Sequence, residues 1–198
     1  MGRLSGPVRR AALQKLGLRG LKNKANLIDK IWMEIEQAIG GLDLPYEKVR
    51  LYQDGLPVCD NESRIVADLA AESRNHRLLM RLMDKGAVIM GTESPELLLE
   101  EYELAKKNLI AGGNLKSMKI EAHQKPVSDS LLKRRDQFIA DRINDTLCPG
   151  ETGILFVGML HSLGHLLDEQ IKVIYPITGP LNRGAEWHER KRYQDSGR

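Results

Sequence analysis

The chain has 198 residues, 41% of them hydrophobic and only 5% aromatic, with a formal net charge of +3. That length supports one sizeable core and is marginal for two, and a core of Leu, Ile, Val, Ala and Met suits helices on a sheet better than an all-β sandwich. Two cysteines, Cys59 and Cys148, exclude a disulfide framework and a zinc ribbon; the lack of a signal-peptide apolar region, or of an apolar run near about 18 residues, predicts a cytoplasmic protein without a membrane span.

The charge is uneven. Residues 1–30 carry eight Lys or Arg against Asp29 alone, and the tail from Arg183 carries five against three acids, so the middle is acidic, with 17 basic and 23 acidic residues. The basic arm reads as a solvated helix face, or as a contact for phosphate or membrane. It has no interleaved aromatics and matches no nucleic-acid module.

In chain order, Ala25 to Ile39 sets Leu27, Ile28, Ile31, Trp32, Ile35 and Ile39 at helical spacing, and Gly40-Gly41 stops it. "KVRLYQDG" predicts a strand closed by Asp54-Gly55. Helices follow over Asn61–Ala71 and Asn75–Lys85, the second ended by Gly86. "AVIMG" is a compact apolar strand of the kind covered on both faces. Ser94 then serves as N-cap and Pro95 as the first turn of a helix running to Gly112-Gly113.

Residues 113–127 read as an irregular stretch, and a helix capped by Asp129 or Ser130 buries Leu131, Leu132, Phe138, Ile139, Ile143 and Leu147. "ILFVG" is the third strand, a short helix spans about Leu160 to Leu167, and "IKVIYPI" is the fourth. The expected fold is therefore α/β, a mainly parallel sheet of about four strands with helices on both faces. Residues 1–178 form one domain in this reading, and 179–198 a charged tail.

Ligands of open parallel sheets bind at the carboxyl ends of the strands. The first strand delivers Gln53 and Asp54 to that edge, the second Thr92 and Glu93, and the third Gly158 and His161. An imidazole with carboxylates has two uses. It holds a divalent metal such as Mn, Co or Zn, or it acts as a general base toward water. Glycine at 158 leaves room for substrate to approach the backbone. His165, four residues after His161, would share its helix face and add a metal ligand. Plainer readings stand beside these: Asp54-Gly55 as a turn, Glu93 as a helix-dipole partner, His165 as surface decoration, and Arg134 and Arg135 as a solvated face.

One ordered pattern goes further. "LLKRRDQFIADRINDTL", then "ILFVGMLHSL", a short helix and "IKVIYPI" resemble the C-terminal part of the TraB/GumN/Tiki group, and more distantly ChaN and the erythromycin esterases. Gly158 and His161 match its G-x-x-H motif, Arg135 and Asp136 its helix pair, and Pro176 the end of its last strand. Over residues 129–177 the resemblance implies a hydrolase-like site for a peptide or ester bond. His161 would be metal ligand or general base, Glu93 the second ligand or acid, and Arg135 the reader of negative charge.

The group carries a second G-x-x-H after an N-terminal strand, whereas "MGRLSGPVRRAALQKLGLRG" has neither an apolar strand nor a histidine. The chain begins downstream of that strand, or the activity is lost, or Asp54 or a partner subunit supplies what is missing. A sheet without its first strand exposes backbone groups, which predicts a homodimer. The alternative to an enzyme is a non-catalytic ligand-binding, regulatory or assembly module.

Overall fold

The computed structural model describes residue 26 and residues 28–111 and 117–176. A helix over 28–40, α1, belongs to one compact unit of the chain, and Leu44–Val173 forms another. In α1 the Gly41 N–H closes onto the Gln37 carbonyl at 3.0 Å, the stop that a glycine pair favours. The basic arm over residues 1–25 and the tail over 179–198 lie outside the described residues.

Within Leu44–Val173, strand β1 (Val49–Gln53) is followed by α2 (Glu62–Ala70), α3 (Arg74–Asp84), β2 (Val88–Met90), α4 (Pro95–Ala111), α5 (Ser117–Thr146) and β3 (Thr152–Phe156). The strands form one parallel sheet in the order β2-β1-β3, with Leu51 in register with Ile89 on one side and Ile154 on the other. Central β1 is buried at every position but Arg50, as a continuous apolar run requires. Arg50 is held by Glu151, its Nη2 at 2.6 Å and Nε at 3.0 Å from the carboxylate.

Alternation along β1 sends Tyr52 to one face, where it packs with Ile139, Ala140 and Ile143 of α5 and with Leu163. The Tyr52 hydroxyl meets Thr146 Oγ1 at 2.9 Å, so the ring is buried without leaving its polar end unpaired. Helices α2 and α3 pack on each other and against β2. No helix among the described residues is long and apolar enough to cross a membrane.

The architecture departs from expectation at three places. The sheet has three strands among the described residues, and residues 171–176, read as a fourth, carry none. Helix α5 begins at Ser117 and runs through Pro126, so much of the stretch read as irregular is helical and Asp129 and Ser130 are internal positions of the helix. Pro126 removes one backbone N–H from the helix without ending it.

The third departure is that the helix expected over 160–167 is a pair of turns, His161 N–H to Gly158 O at 3.1 Å and Leu166 N–H to Leu163 O at 2.8 Å. Side chains of α5 take the backbone groups that a helix would have paired. Asp136 accepts from Ser162 N–H at 3.1 Å, while Asn144 donates to Leu166 O at 3.2 Å and accepts from Asp168 N–H at 2.9 Å.

Candidate functional site

Three parallel strands point their carboxyl ends at one rim, and each continues into a loop that is tied to its neighbour. Asp54 N–H donates to Phe156 O at 2.9 Å, which joins the loops after β1 and β3. Thr92 and Glu93 N–H groups both donate to Leu56 O at 3.0 Å, and Val58 N–H to Glu93 O at 2.8 Å, which joins those after β1 and β2. Thr92 Oγ1 accepts from Gln53 N–H at 2.9 Å and donates to Met90 O at 3.1 Å. Ser94 Oγ accepts from Leu97 N–H at 3.2 Å and caps α4, as its sequence context predicts. Glu93 is thereby fixed one residue before the cap of α4.

Helix α5 supplies the fourth side. Leu131, Arg135, Ile139 and Ile143 follow one another at the four-residue spacing of a single helix face, so the guanidinium enters the protein along an apolar stripe. Arg135 is only 5% exposed, and Glu93 is fully buried. Its Nη2 reaches Glu93 Oε1 at 2.5 Å and Asp54 Oδ1 at 2.7 Å, its Nε reaches Glu93 Oε2 at 3.0 Å, and its Nη1 reaches the half-exposed Glu101 at 2.6 Å. Arg134 takes the solvated face and pairs with Glu100.

His161 stands between two carboxylates. Its Nδ1 lies 2.5 Å from Asp136 Oδ1, and its Nε2 lies 3.5 Å from Asp54 Oδ2. A carboxylate at Nδ1 keeps the proton on that nitrogen, so in the neutral ring Nε2 carries the lone pair. Gly158 N–H donates to Asp54 Oδ2 at 3.2 Å, and a Cβ at Gly158 would meet the same oxygen at 3.2 Å, so the expected need for glycine traces to the close approach of Asp54.

Electrostatics drive the groups apart. Asp54 and then Asp136 hold the His161 imidazolium, raising its pKa above the ordinary value against the opposing effect of burial. Burial pushes Asp54 up, but the adjoining His161 and Glu93, with the charges of His161 and Arg135, outweigh it and hold this carboxyl well below the usual carboxylate range. Burial pushes Glu93 up, and the adjoining Asp54 adds to that against the pull of Arg135. The Arg135 guanidinium loses hydration, yet Glu93, Glu101 and Asp54 hold it firmly protonated.

Of the residues singled out in the sequence, Asp54, Glu93, Arg135, Gly158 and His161 come together. Gln53 flanks them: its Nε2 donates to Asp54 O at 2.8 Å, and its Oε1 accepts from Asn75 Nδ2 at 2.8 Å. His165 does not join. It lies exposed on the second turn rather than on a helix face shared with His161, because that helix does not form.

Asp136, Glu101 and Asn75 were not assigned to the site from the sequence. For Asp136 the signal was available, since Leu132, Asp136, Ala140 and Ile143 continue the buried face of α5. Glu101 and Asn75 sit in ordinary amphipathic helices, and nothing in their local spacing marks them.

Donor atoms of Asp54, Glu93 and His161 all lie within 4.8 Å of one another. Donors on a single ion at about 2.0–2.2 Å are roughly 3–4 Å apart, so the three would have to draw inward to share one cation, Glu93 doing so in competition with its pairing to Arg135. The donor chemistry fits: one imidazole nitrogen, carboxylate oxygens, and Asp136 behind the imidazole to orient it. Charge fits too, because Asp54, Glu101 and Asp136, leaving aside Glu93 whose pKa burial raises, outnumber one guanidinium and one imidazole. The negative excess favours a cation, whose identity the donors leave open. Comparison of the chain with family models, curated proteins and solved structures finds no match.

Proposed function

We propose that this rim is a hydrolytic centre of the TraB/Tiki type acting on a peptide or ester bond, with Asp54, Glu93 and His161 holding a divalent Mn, Co or Zn ion. The observation that carries the reading is the meeting of these three side chains, from three separate strand ends, within 4.8 Å. The fold implied is a parallel sheet of about four strands with helices on both faces, of which β1–β3 are three. Strands β2 and β3 each have one neighbour among the described residues, which supports pairing with a second copy.

When bound, such an ion polarises a carbonyl and lowers the pKa of water to about 7. The chain's own groups then have distinct tasks. Asp136 fixes the ring of His161 and keeps Nε2 free to ligate or, without metal, to take a proton from water. Arg135 holds Glu93 and Asp54 in place and keeps one edge, Nη1, toward the more open Glu101 side, where negative charge on substrate would compete with that carboxylate. Burial of Glu93 keeps bulk water from screening these interactions.

The test uses the full chain with p-nitrophenyl esters and an unstructured casein substrate, with and without added Mn²⁺, Co²⁺ or Zn²⁺. We expect hydrolysis that falls at least about a hundredfold in His161→Ala, the scale of a lost general base. Activity unchanged in that variant would assign the rim to ligand binding or to holding the fold together.

A further inference from the structure

Gly158 and His161 are the outer residues of a β-turn, closed by the His161 N–H to Gly158 O bond at 3.1 Å. Both corners are fastened to the site. Gly158 N–H donates to Asp54 at 3.2 Å, the His161 ring lies 2.5 Å from Asp136, and the next backbone N–H, that of Ser162, donates to Asp136 at 3.1 Å. The two central positions therefore cannot be far from the donor cluster, yet they take no part in it.

Those positions hold Met159 and Leu160, which are 83% and 81% exposed, the highest values among the exposed large hydrophobic residues described; Val157 just before the turn is 38% exposed. Turn geometry does not call for them. Central turn positions favour Pro, Asn, Asp, Gly and Ser, whose shape or local hydrogen bonds stabilise the bend. Nor does packing, since the core beneath takes Leu163 from the following segment and leaves this pair in water. An apolar pair held in water on a turn that is fastened to a polar site gains its contacts only when something apolar covers it, and a flexible thioether adapts to varied shapes.

We propose that the Gly158–His161 turn is the selecting lip of the site, with Met159 and Leu160 covering an aliphatic group attached beside the carbonyl that is attacked. The occupant is a small substrate bearing such a group, either the acyl chain of an ester or the aliphatic side chain of a peptide. Continuity carries this choice, because the residues that fasten the turn are those that gather the donors. The inference rests on the hydrolytic reading above and adds the substrate class to it.

The experiment has a turnover arm and a binding arm. In turnover, the double variant M159S/L160S is compared with the unaltered chain on p-nitrophenyl hexanoate against acetate, and on N-acetyl-leucine against N-acetyl-glycine p-nitroanilide. The preference in kcat/KM for the larger apolar member should fall at least about fivefold. A fall confined to the esters identifies an acyl chain, and one confined to the anilides a side chain.

For binding, the full chain labelled with ¹³C at methionine methyls is titrated with hexanoate and with N-acetyl-leucinamide. The Met159 signal, identified by its loss in Met159→Ser, should shift saturably with at least one of them and not with acetate or N-acetylglycinamide. Turnover with no change in preference overturns the lip and leaves the hydrolytic reading intact. A saturable shift without turnover removes hydrolysis and leaves the apolar lip. A Met159 signal that moves with protein concentration alone, with a dimer that M159S/L160S dissolves, overturns the proposal by assigning the turn to self-association.

Discussion

His161 carries the site's response to pH. Its ring is buried between Asp54 and Asp136, and the two carboxylates raise its pKa in the folded chain. The favourable interaction is therefore fully present below the unfolded value of about 6.5 and is lost as pH rises through the folded one. Asp54 works in the opposite sense. Its folded pKa is depressed, so its contribution exists above about 3.9 and disappears as pH falls. Replacing Asp136 by Asn removes one of the charges that hold the imidazolium while keeping a side chain of the same size. We expect the His161 ring to titrate at a clearly lower pH in Asp136→Asn than in the unaltered metal-free chain, as read from its ring-proton NMR shifts, with the loss of stability on raising pH beginning correspondingly earlier.

The positions of these side chains are decided by the elements that carry them, and Gly91 shows how little slack there is. A Cβ at Gly91 would fall 2.5 Å from Val58 Cα and 2.9 Å from Pro57 O, both backbone atoms, and 2.6 Å from Glu62 Oε1. The 56–58 segment lies this close because it takes the Thr92 and Glu93 N–H groups and gives Val58 N–H in return. Gly91→Ala must therefore push apart the two loops that present Asp54 and Glu93. Urea unfolding should show a loss of about 1–3 kcal/mol, the cost of overpacking a close approach, with hydrolysis falling alongside.

The same elements explain what could be read from the sequence. Three apolar runs in a parallel sheet put the strand ends that carry Asp54, Glu93 and Gly158 on one edge, so the two carboxylates are legible from strand order. The segment after β3 is not, because its conformation is set by Asp136 and Asn144 of α5, far away in the chain, rather than by its own helix-forming residues. A helix there would place His165 on the His161 face, whereas the turns leave it exposed. The Arg135-Asp136 pair does not by itself reveal Asp136 as the partner of His161, since only the folded turn brings the two together.

At the scale of the whole molecule, cation binding and proton binding compete for the same rim. Asp54, Glu101 and Asp136 outnumber Arg135 and His161, and that excess gathers around the rim although the whole chain has a formal charge of +3. A cation that binds the folded rim and not the unfolded chain stabilises by mass action, about 2.7 kcal/mol at a hundred times its Kd, which for a chain of this size is a rise of several degrees in Tm. The ligating form of His161 is the neutral one, so its raised pKa makes binding weak in mild acid and stronger as the proton leaves. The Tm increment produced by Mn²⁺, Co²⁺ or Zn²⁺ should therefore grow as pH rises through the raised folded pKa of His161, the same step over which the metal-free chain loses the contribution of the imidazolium. His161→Ala should abolish that growth. Scanning calorimetry at two pH values with each ion separates this from nonspecific charge neutralisation, which would give His161→Ala the same increment as the unaltered chain.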